Sequence, residues 1–353
     1  MCIALVVGFV VTGFASSAYH RKRANLGTEH YESGRRLEAQ GKVEQAVDEY
    51  RTALFFSPDK TEYRVSLATA LVEAGRLDEA ESHLEQLLQE DPTNGRINLL
   101  LGRVAVKRGK LKQAIEYYQR GVYEYWPESQ LFRRREARWE LASLLSKTGE
   151  RTQFVGELMQ LYTNLPPGDT GQKLRVGSLL LANGATSEAS RIFQDVLKQQ
   201  PQNVDALRGM GGAYFNLGDF VSARHQFQKA LRLDAKDKES AQRLALTNDV
   251  IDMDAALPYI TSAEQLRRNK NLLARVIKDL DACFRVGAGA GDPRHQRLDQ
   301  ARQLLGQRVK GEDAALAMQR TAARLWADKG AFCGAAAPQD RALDTVFARI
   351  GNE

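Results

Sequence analysis

The hydrophobic positions of this chain recur with a helical period, and short breaks interrupt them at regular intervals. From about residue 27 onward apolar residues return every three or four positions, and no run of alternating strand residues is present. Pro58 and Pro92 end two successive segments and stand 34 residues apart. Because proline has no amide hydrogen to continue a helix, these positions mark helix ends. The pattern predicts an all-α chain of helix pairs.

Small and bulky residues keep the same order within each period. Three periods carry this order in register: Gly34, Gly41, Ala46, Tyr50 and Ala53; Ala68, Gly75, Ala80 and Leu84; Gly102, Gly109, Ala114, Tyr118 and Gly121. The first small residue lets the two helices of a pair approach closely, and a bulky residue of the second helix fills the remaining space. The second glycine is expected where the first helix ends, because glycine enters the left-handed conformation cheaply.

This order of residues resembles the tetratricopeptide repeat (TPR) family over residues 27–237. The resemblance implies a helix-pair superhelix of about six repeats, near residues 27–60, 61–94, 95–128, 135–168, 170–203 and 204–237. The register breaks after Pro127, and Phe154 stands where the fourth repeat should carry alanine. The motifs specify the fold and leave the ligand open, because they describe only the interior of the stack.

In this family the first helix of each repeat lines the concave face, so the resemblance implies a groove that binds a protein or peptide partner. Carried onto this sequence, its lining positions are Tyr31, Arg35, Arg96, Arg103, Trp139, Arg208 and Phe215. Arginine grips carboxylates with two bonds while aromatic rings supply apolar contact, which suits a peptide groove. The alternative is a solvated helix face. Only Arg96 has the right charge for the carboxylate clamp of chaperone-binding members, so we do not expect that subtype.

The amino terminus carries an apolar run. Residues 2–18 hold no charge, and Arg21, Lys22 and Arg23 follow closely. The run spans about 26 Å as a helix, slightly short of a hydrocarbon core of about 30 Å. We predict a transmembrane anchor in residues 1–23, with the repeats on the cytoplasmic side by the positive-inside rule. The alternatives are a cleaved signal peptide, which would place the body outside the cytoplasm, and a buried helix.

The helical pattern continues beyond the repeats. Residues 238–256 are predicted to form a capping helix and linker, and residues 257–353 a helical region that resembles no family, with a capping box at Ser262 and Gln265. Cys283 and Cys333 are the only cysteines outside the apolar run. They are predicted to form a disulfide if the body faces an oxidising compartment, and to be two buried thiols otherwise.

Composition and charge narrow the function without naming it. The 353 residues carry a net charge of +6, but no nucleic-acid reading motif accompanies it, so nucleic acid is not the expected partner. The five histidines have no metal-ligand spacing, and no cofactor or metal is expected. The sequence therefore predicts a non-enzymatic, membrane-tethered scaffold that binds a protein partner in its groove and assists assembly of an envelope complex. The alternative is an enzyme whose catalytic residues lie within residues 257–353.

Overall fold

Helices make up the regular structure of the chain throughout its described part. The computed structural model describes residues 2–257, 259–284, 293–308, 311–333, 337 and 339–351, without the side chains of residues 2–13, 15, 283, 284, 293 and 332. Within these ranges there are eighteen α-helices, one short 3-10 helix and no strand. The helices fall into two compact units: unit 1, Met1–Asn164, and unit 2, Leu165–Glu353. The all-α prediction is confirmed.

Unit 1 is a row of four helix pairs. In each pair the second helix packs against the first. The pairs are α1 (Cys2–Ala39) with α2 (Val43–Phe56), α3 (Thr61–Glu73) with α4 (Leu77–Glu90), α5 (Gly95–Lys107) with α6 (Leu111–Tyr123), and α7 (Leu131–Thr148) with α8 (Arg151–Thr163). A 3-10 turn, Glu128–Gln130, precedes α7 where the sequence period breaks. Helix α3 also contacts α5, so the first helices of the second and third pairs lie side by side.

Unit 2 begins with two further pairs and continues into six more helices. The pairs are α9 (Thr170–Ala182) with α10 (Thr186–Gln199), and α11 (Val204–Asn216) with α12 (Phe220–Leu233). The helices that follow are α13 (Lys238–Met253), α14 (Ser262–Phe284), α15 (Pro293–Gly306), α16 (Glu312–Ala327), α17 (Lys329–Cys333) and α18 (Arg341–Ile350). Helix α13 packs on α12. One core joins Phe220 of the last pair to Leu273, Met318 and Leu343, so the carboxy-terminal helices pack directly on the repeats.

The turn between the two helices of each pair depends on glycine. Six glycines have φ between +73° and +79°, and each stands where a first helix ends: Gly41, Gly75, Gly109, Gly149, Gly184 and Gly218. Other residues pay a steric penalty in this region because of their Cβ atom. Lys42 follows Gly41, and its backbone amide donates to the carbonyl of Leu37 at 2.9 Å. This bond ends the helix. The predicted role of the second glycine is confirmed.

The first glycine of several pairs is a close-packing site. A Cβ added to Gly34 would lie 2.6 Å from the ring of Tyr50, and one added to Gly211 would lie 2.6 Å from the ring of Phe227. Both rings are fully buried. The ring therefore occupies the space that a side chain would need, which is the physical reason for the repeated pairing of a small residue with a bulky one sixteen positions later.

Two local expectations change with the structure. Phe154, which replaces the alanine of the fourth repeat, is 3% exposed and packs inside unit 1. The predicted capping box at Ser262 is wrong by one residue, since the hydroxyl of Thr261 accepts from the amide of Glu264 at 3.2 Å. Thr261 precedes the first helical residue of α14, so it satisfies an amide that lacks a partner within the helix.

The predicted membrane anchor is contradicted. In the described part of the chain, no helix combines the length and the apolar character needed to cross a bilayer. The same helix that begins at Cys2 carries Arg21, Lys22 and Arg23 and continues into the first pair, so its apolar run stops short of the bilayer thickness. The expected single-pass location is therefore wrong. The side chains of residues 2–13 and 15 lie outside the described part.

Candidate functional site

Five of the predicted groove residues lie on first helices of unit 1. Tyr31 and Arg35 belong to α1, Arg96 and Arg103 to α5, and Trp139 to α7. They differ in whether their polar groups are already engaged, and this difference decides which of them has bonding capacity left for a ligand. Trp139 is half-buried on α7.

Tyr31 forms part of the wall between α1 and α3. Its side chain is 8% exposed, and its ring stacks on Tyr63 with 4.3 Å between centroids. Its hydroxyl donates to Glu62 at 3.0 Å. Burial raises the pKa of the Tyr31 hydroxyl, since the charged form would lose its hydration. Tyr31 thus positions Glu62 and offers a ligand little open surface.

Arg35 and Arg103 are both ion-paired. Arg35 is exposed and pairs with Glu32 at 3.3 Å within its own helix. Arg103 makes two bonds to the carboxylate of Glu140, at 2.6 and 3.1 Å, and Tyr118 donates to the same group at 2.6 Å. The Arg103 cluster therefore joins α5, α6 and α7. Burial, and then the bond to Glu140, raise the pKa of the Tyr118 hydroxyl, so it remains a neutral donor.

Arg96 differs from the other predicted arginines. Its guanidinium is half-buried, and among the described residues it makes no side-chain hydrogen bond or ion pair. Burial lowers the pKa of Arg96, and the nearby charge of Arg133 lowers it further. Both effects disfavour the charged form, and the smaller favourable effects of Tyr31, Glu62 and Glu38 oppose them only in part.

A cavity of about 470 Å³ lies beside Arg96. Its acidic members are already engaged: Glu62 accepts from Tyr31, and Asp91 accepts from Thr93 and Asn94, each at 3.1 Å. Its remaining wall includes residues from α3 and from the step before α7: Thr61, Val65, Tyr125, Trp126, Pro127 and Gln130.

Local structure fixes both sides of the Arg96 cavity. Asn94 caps α5 by accepting from the amides of Arg96 and Ile97, at 3.1 and 3.2 Å, so the guanidinium leaves the first turn of that helix. Trp126 donates to the carbonyl of Gly121 at 2.6 Å and is buried, whereas Tyr125 is 77% exposed. The sequence analysis missed these residues. The only signal for them was the late Pro127, where the repeat register breaks.

In unit 2 the predicted residues Arg208 and Phe215 serve packing and pairing. Arg208 contacts Asp205 and also pairs with Asp237 at 2.8 Å and Glu239 at 3.2 Å. Asp237 caps α13, so Arg208 ties α11 to that helix. Phe215 packs edge-on against Phe220 at 5.2 Å, next to the core of the carboxy-terminal helices. Arg208 also lines a cavity of about 540 Å³, where its charge is already balanced.

The sequence analysis also missed a cavity of about 830 Å³ in unit 2. Apolar residues form most of its wall, and two arginines border it: Phe215, Leu217, Phe220, Val221, Leu257, Tyr259, Ile260, Arg268 and Arg349. Arg349 donates to the carbonyl of Gly218 at 2.9 Å and lies 3.6 Å from Asp254, whose backbone carbonyl accepts from Arg268 at 3.0 Å. Gly218 and Arg349 are 131 residues apart, a distance over which no local pattern operates.

The structure describes the side chain of only one cysteine of the predicted disulfide. Cys333 is disulfide-bonded, while the side chain of Cys283 lies outside the described part. Cys283 belongs to the last turn of α14, and α14 packs against α17, which ends at Cys333. The pairing of these two cysteines stays a prediction. No group of metal-binding side chains was found in the described ranges.

Known proteins resemble this chain through its repeats. Models of the tetratricopeptide repeat match residues 26–95, and residues 71–131 and 180–246. The CTR9 homolog of Arabidopsis thaliana is 25% identical over 197 residues, which is 54% of this chain and 17% of that protein. A putative cellulose synthase operon protein C of Escherichia coli O157:H7 is 24% identical over 224 residues, 62% of this chain and 19% of that protein. This chain thus covers under a fifth of either relative.

Solved structures resemble it over a similar extent. YrrB, described as a TPR protein with an unusual peptide-binding site, matches 55% of this chain and 96% of its own at 18% identity, with a TM-score of 0.42. The pilF protein of Pseudomonas aeruginosa matches 64% and 99% at 16% identity, also with a TM-score of 0.42. The helix pairs, the turn glycines and the matched repeat models together show that this chain belongs to the tetratricopeptide repeat family.

Proposed function

We propose that this chain is a non-enzymatic scaffold for protein–protein interaction, and that the first-helix face of unit 1 receives an acidic segment of a partner protein. The single observation that carries the proposal is Arg96, a half-buried guanidinium without an ionic partner among the described residues, beside a cavity of about 470 Å³. A carboxylate in that cavity supplies the missing partner.

The energetics favour a carboxylate over a neutral ligand. Burial and Arg133 disfavour the charge of Arg96 by more than Glu62 and Glu38 favour it, and a bound carboxylate opposes that net effect while accepting two parallel hydrogen bonds. A hydrogen bond to a charged group contributes about 1.5–3 kcal/mol, which corresponds to about a 10- to 150-fold change in affinity. Tyr125, which is 77% exposed at the same cavity, supplies apolar contact to neighbouring residues of the segment.

The other predicted groove arginines contribute less to this proposal. Arg103 and Arg208 already bind carboxylates of this chain, so a ligand would have to displace them. Arg35 is exposed and weakly paired, where ion pairs contribute little. The proposed site is therefore centred on Arg96, with Glu62 in its wall and Tyr31 hydrogen-bonded to Glu62.

We propose that the scaffold works within a multiprotein complex, without naming that complex. A relative in Bos taurus is named as a member of the BBSome complex, and it is 22% identical over 55% of this chain. The predicted envelope location depended on the membrane anchor and is not proposed, because that anchor is contradicted.

The enzyme alternative depends on the cavity of about 830 Å³ in unit 2, where Arg268 and Arg349 both contact Asp254. Groups bound to each other in this way support a structural role better than a catalytic one.

Selection from a random peptide display library on the full chain tests the proposal. We expect enrichment of peptides that carry Asp or Glu beside an apolar residue, and about 10- to 150-fold weaker binding of those peptides to Arg96→Gln. Arg35→Gln is the matched control and should bind them as the unmodified chain does, because its charge is exposed. Enrichment without acidic residues, or equal binding to Arg96→Gln, would overturn the proposal.

A further inference from the structure

A second cavity of unit 1 lies between α7 and α8 and is lined by three arginines. It has a volume of about 220 Å³, and its lining residues are Leu131, Arg134, Arg135, Arg138, Gln160, Leu161 and Asn164. The arginines occupy positions i, i+1 and i+4 of α7. This cavity belongs to the irregular fourth repeat, and none of its arginines was among the predicted groove residues.

The three arginines retain unused donors. Arg135 makes no side-chain hydrogen bond or ion pair among the described residues. Arg134 uses its Nε to donate to the carbonyl of Val122 at 2.6 Å, which leaves both of its terminal nitrogens. Arg138 uses Nη1 toward Gln160 at 3.2 Å, and its Nε lies 3.4 Å from a carboxylate oxygen of Glu157. Each guanidinium carries five N–H donors, so most of the donors at this cavity have no acceptor within the described part of the chain.

The charges at the cavity do not cancel. Arg134, Arg135 and Arg138 carry three positive charges, and Glu157, paired with Arg138, carries one negative charge. The other carboxylate oxygen of Glu157 accepts from Tyr123 at 2.7 Å. Arg138 is 5% exposed. Its burial lowers its pKa, the charge of Glu157 opposes that effect in part, and the charge of Arg134 adds to it, so a further anion is favoured here.

The helix ends at the cavity are compatible with an anion. Leu131 and Arg134 lie in the first turn of α7, where the helix dipole is positive. The last turn of α8 also borders the cavity, but Asn164 caps it: its side-chain amide donates to the carbonyl of Gln160 at 2.7 Å, and its backbone amide to that of Leu161 at 3.1 Å. The carbonyl groups of Gln160 and Leu161 are therefore already hydrogen-bonded.

We infer that this cavity binds the phosphate monoester of a phosphorylated segment of a partner protein. The net charge of +2 matches a phosphate monoester, which carries about −1.5 to −2 at neutral pH, better than a carboxylate with its single charge. A phosphate also offers several acceptor oxygens to convergent arginines. Leu131 and Phe132 are 47% and 48% exposed beside the cavity, and they provide the apolar contacts that a peptide makes on either side of its phosphate.

The inference rests on the proposed function in one respect, that the ligand is a protein. Its site is distinct from Arg96, so the two fail separately. The probe is a fluorescein-labelled short peptide with one phosphoserine between Leu and Phe residues, and its unphosphorylated form is the control. Anisotropy is measured with the full chain, with Arg135→Gln, and with Arg120→Gln as a matched variant, since Arg120 is an exposed arginine of α6. Arg96→Gln is measured in parallel.

We expect the phosphopeptide to bind at least about tenfold more tightly than the unphosphorylated peptide, and Arg135→Gln to remove that preference. Arg120→Gln and Arg96→Gln should retain it, and millimolar inorganic phosphate should compete. Equal binding of both peptides, or an unchanged preference in Arg135→Gln, would overturn the inference. It would also be overturned if vesicles containing phosphatidic acid bind the chain in an Arg135-dependent way while the phosphopeptide does not.

Discussion

Replacing Gly34 by alanine tests why the repeat keeps a small residue opposite a bulky one. The new Cβ would lie 2.6 and 2.7 Å from two ring carbons of Tyr50, whereas ordinary van der Waals contact begins near 3.4 Å. The Tyr50 ring cannot move aside easily, because it is fully buried and its hydroxyl donates to Glu38 at 2.6 Å. The clash must therefore be relieved by separating α1 from α2.

The magnitude follows from two opposing effects. Overpacking of this kind costs about 1–3 kcal/mol. Alanine in place of glycine within a helix stabilises the helix by about 0.5–1 kcal/mol. The middle values of these two ranges leave a net loss, so we expect Gly34→Ala to lower the free energy of unfolding of unit 1 by about 1 kcal/mol. Gly156→Ala is the matched control in the same unit, because Gly156 is exposed within α8 and has no atom within 4 Å of the added Cβ.

Urea unfolding followed by far-ultraviolet circular dichroism distinguishes the two substitutions. The unfolding midpoint should fall for Gly34→Ala and rise for Gly156→Ala, which gains about 0.5–1 kcal/mol from helix propensity alone. Both should leave the urea dependence of the free energy unchanged. A Gly34→Ala chain as stable as the original would refute the packing argument, because helix propensity would then outweigh the contact with Tyr50.

Three further predictions concern single side chains. Tyr118→Phe removes the hydroxyl that donates to a carboxylate of α7, and it should lower the free energy of unfolding by about 1–2 kcal/mol in urea titration. Hydrogen bonds from Arg267 lower the pKa of Glu264 from 4.5 to about 2. The stability that Glu264 adds is therefore complete above pH 4.5 and is lost as the pH falls toward 2. Glu264→Gln should flatten this part of the acid-unfolding curve. Alkylation of the purified, unreduced protein in denaturant should leave Cys283 and Cys333 unlabelled. Reduction should destabilise the carboxy-terminal helices by about 4 kcal/mol. Labelling of Cys283 before reduction would refute their pairing.

The interior of the repeats was predictable from the sequence because its rules act over short distances. The left-handed turn at Gly41 and the contact of Gly34 with Tyr50 each involve residues within one pair, and a period of 34 repeats them. The core of the carboxy-terminal helices was not predictable in this way. Arg349 reaches Gly218 across 131 residues, and no periodic pattern records such a contact.

The candidate site was predictable only as a set of positions. Arg96 and Arg208 are both predicted groove residues on the first helix of a pair. Arg208 is paired with Asp237 and Glu239, whereas Arg96 has no such partner among the described residues. The difference lies in acidic residues 29 and 31 positions farther along the chain, which α13 brings back to α11. Residue type gives the charge of a side chain, and only the packing of the helices decides whether that charge remains available to a ligand.

Site-specific photocrosslinking at position 125 in intact cells tests the central claim most directly. Tyr125 is exposed and lines the Arg96 cavity, so p-benzoylphenylalanine at this position should crosslink to the segment that the cavity holds. Mass spectrometry of the adducts should find Asp or Glu within a few residues of the crosslinked site, and Arg96→Gln should abolish these adducts while Arg35→Gln leaves them unchanged. The same adducts in the Arg96→Gln chain would contradict the account.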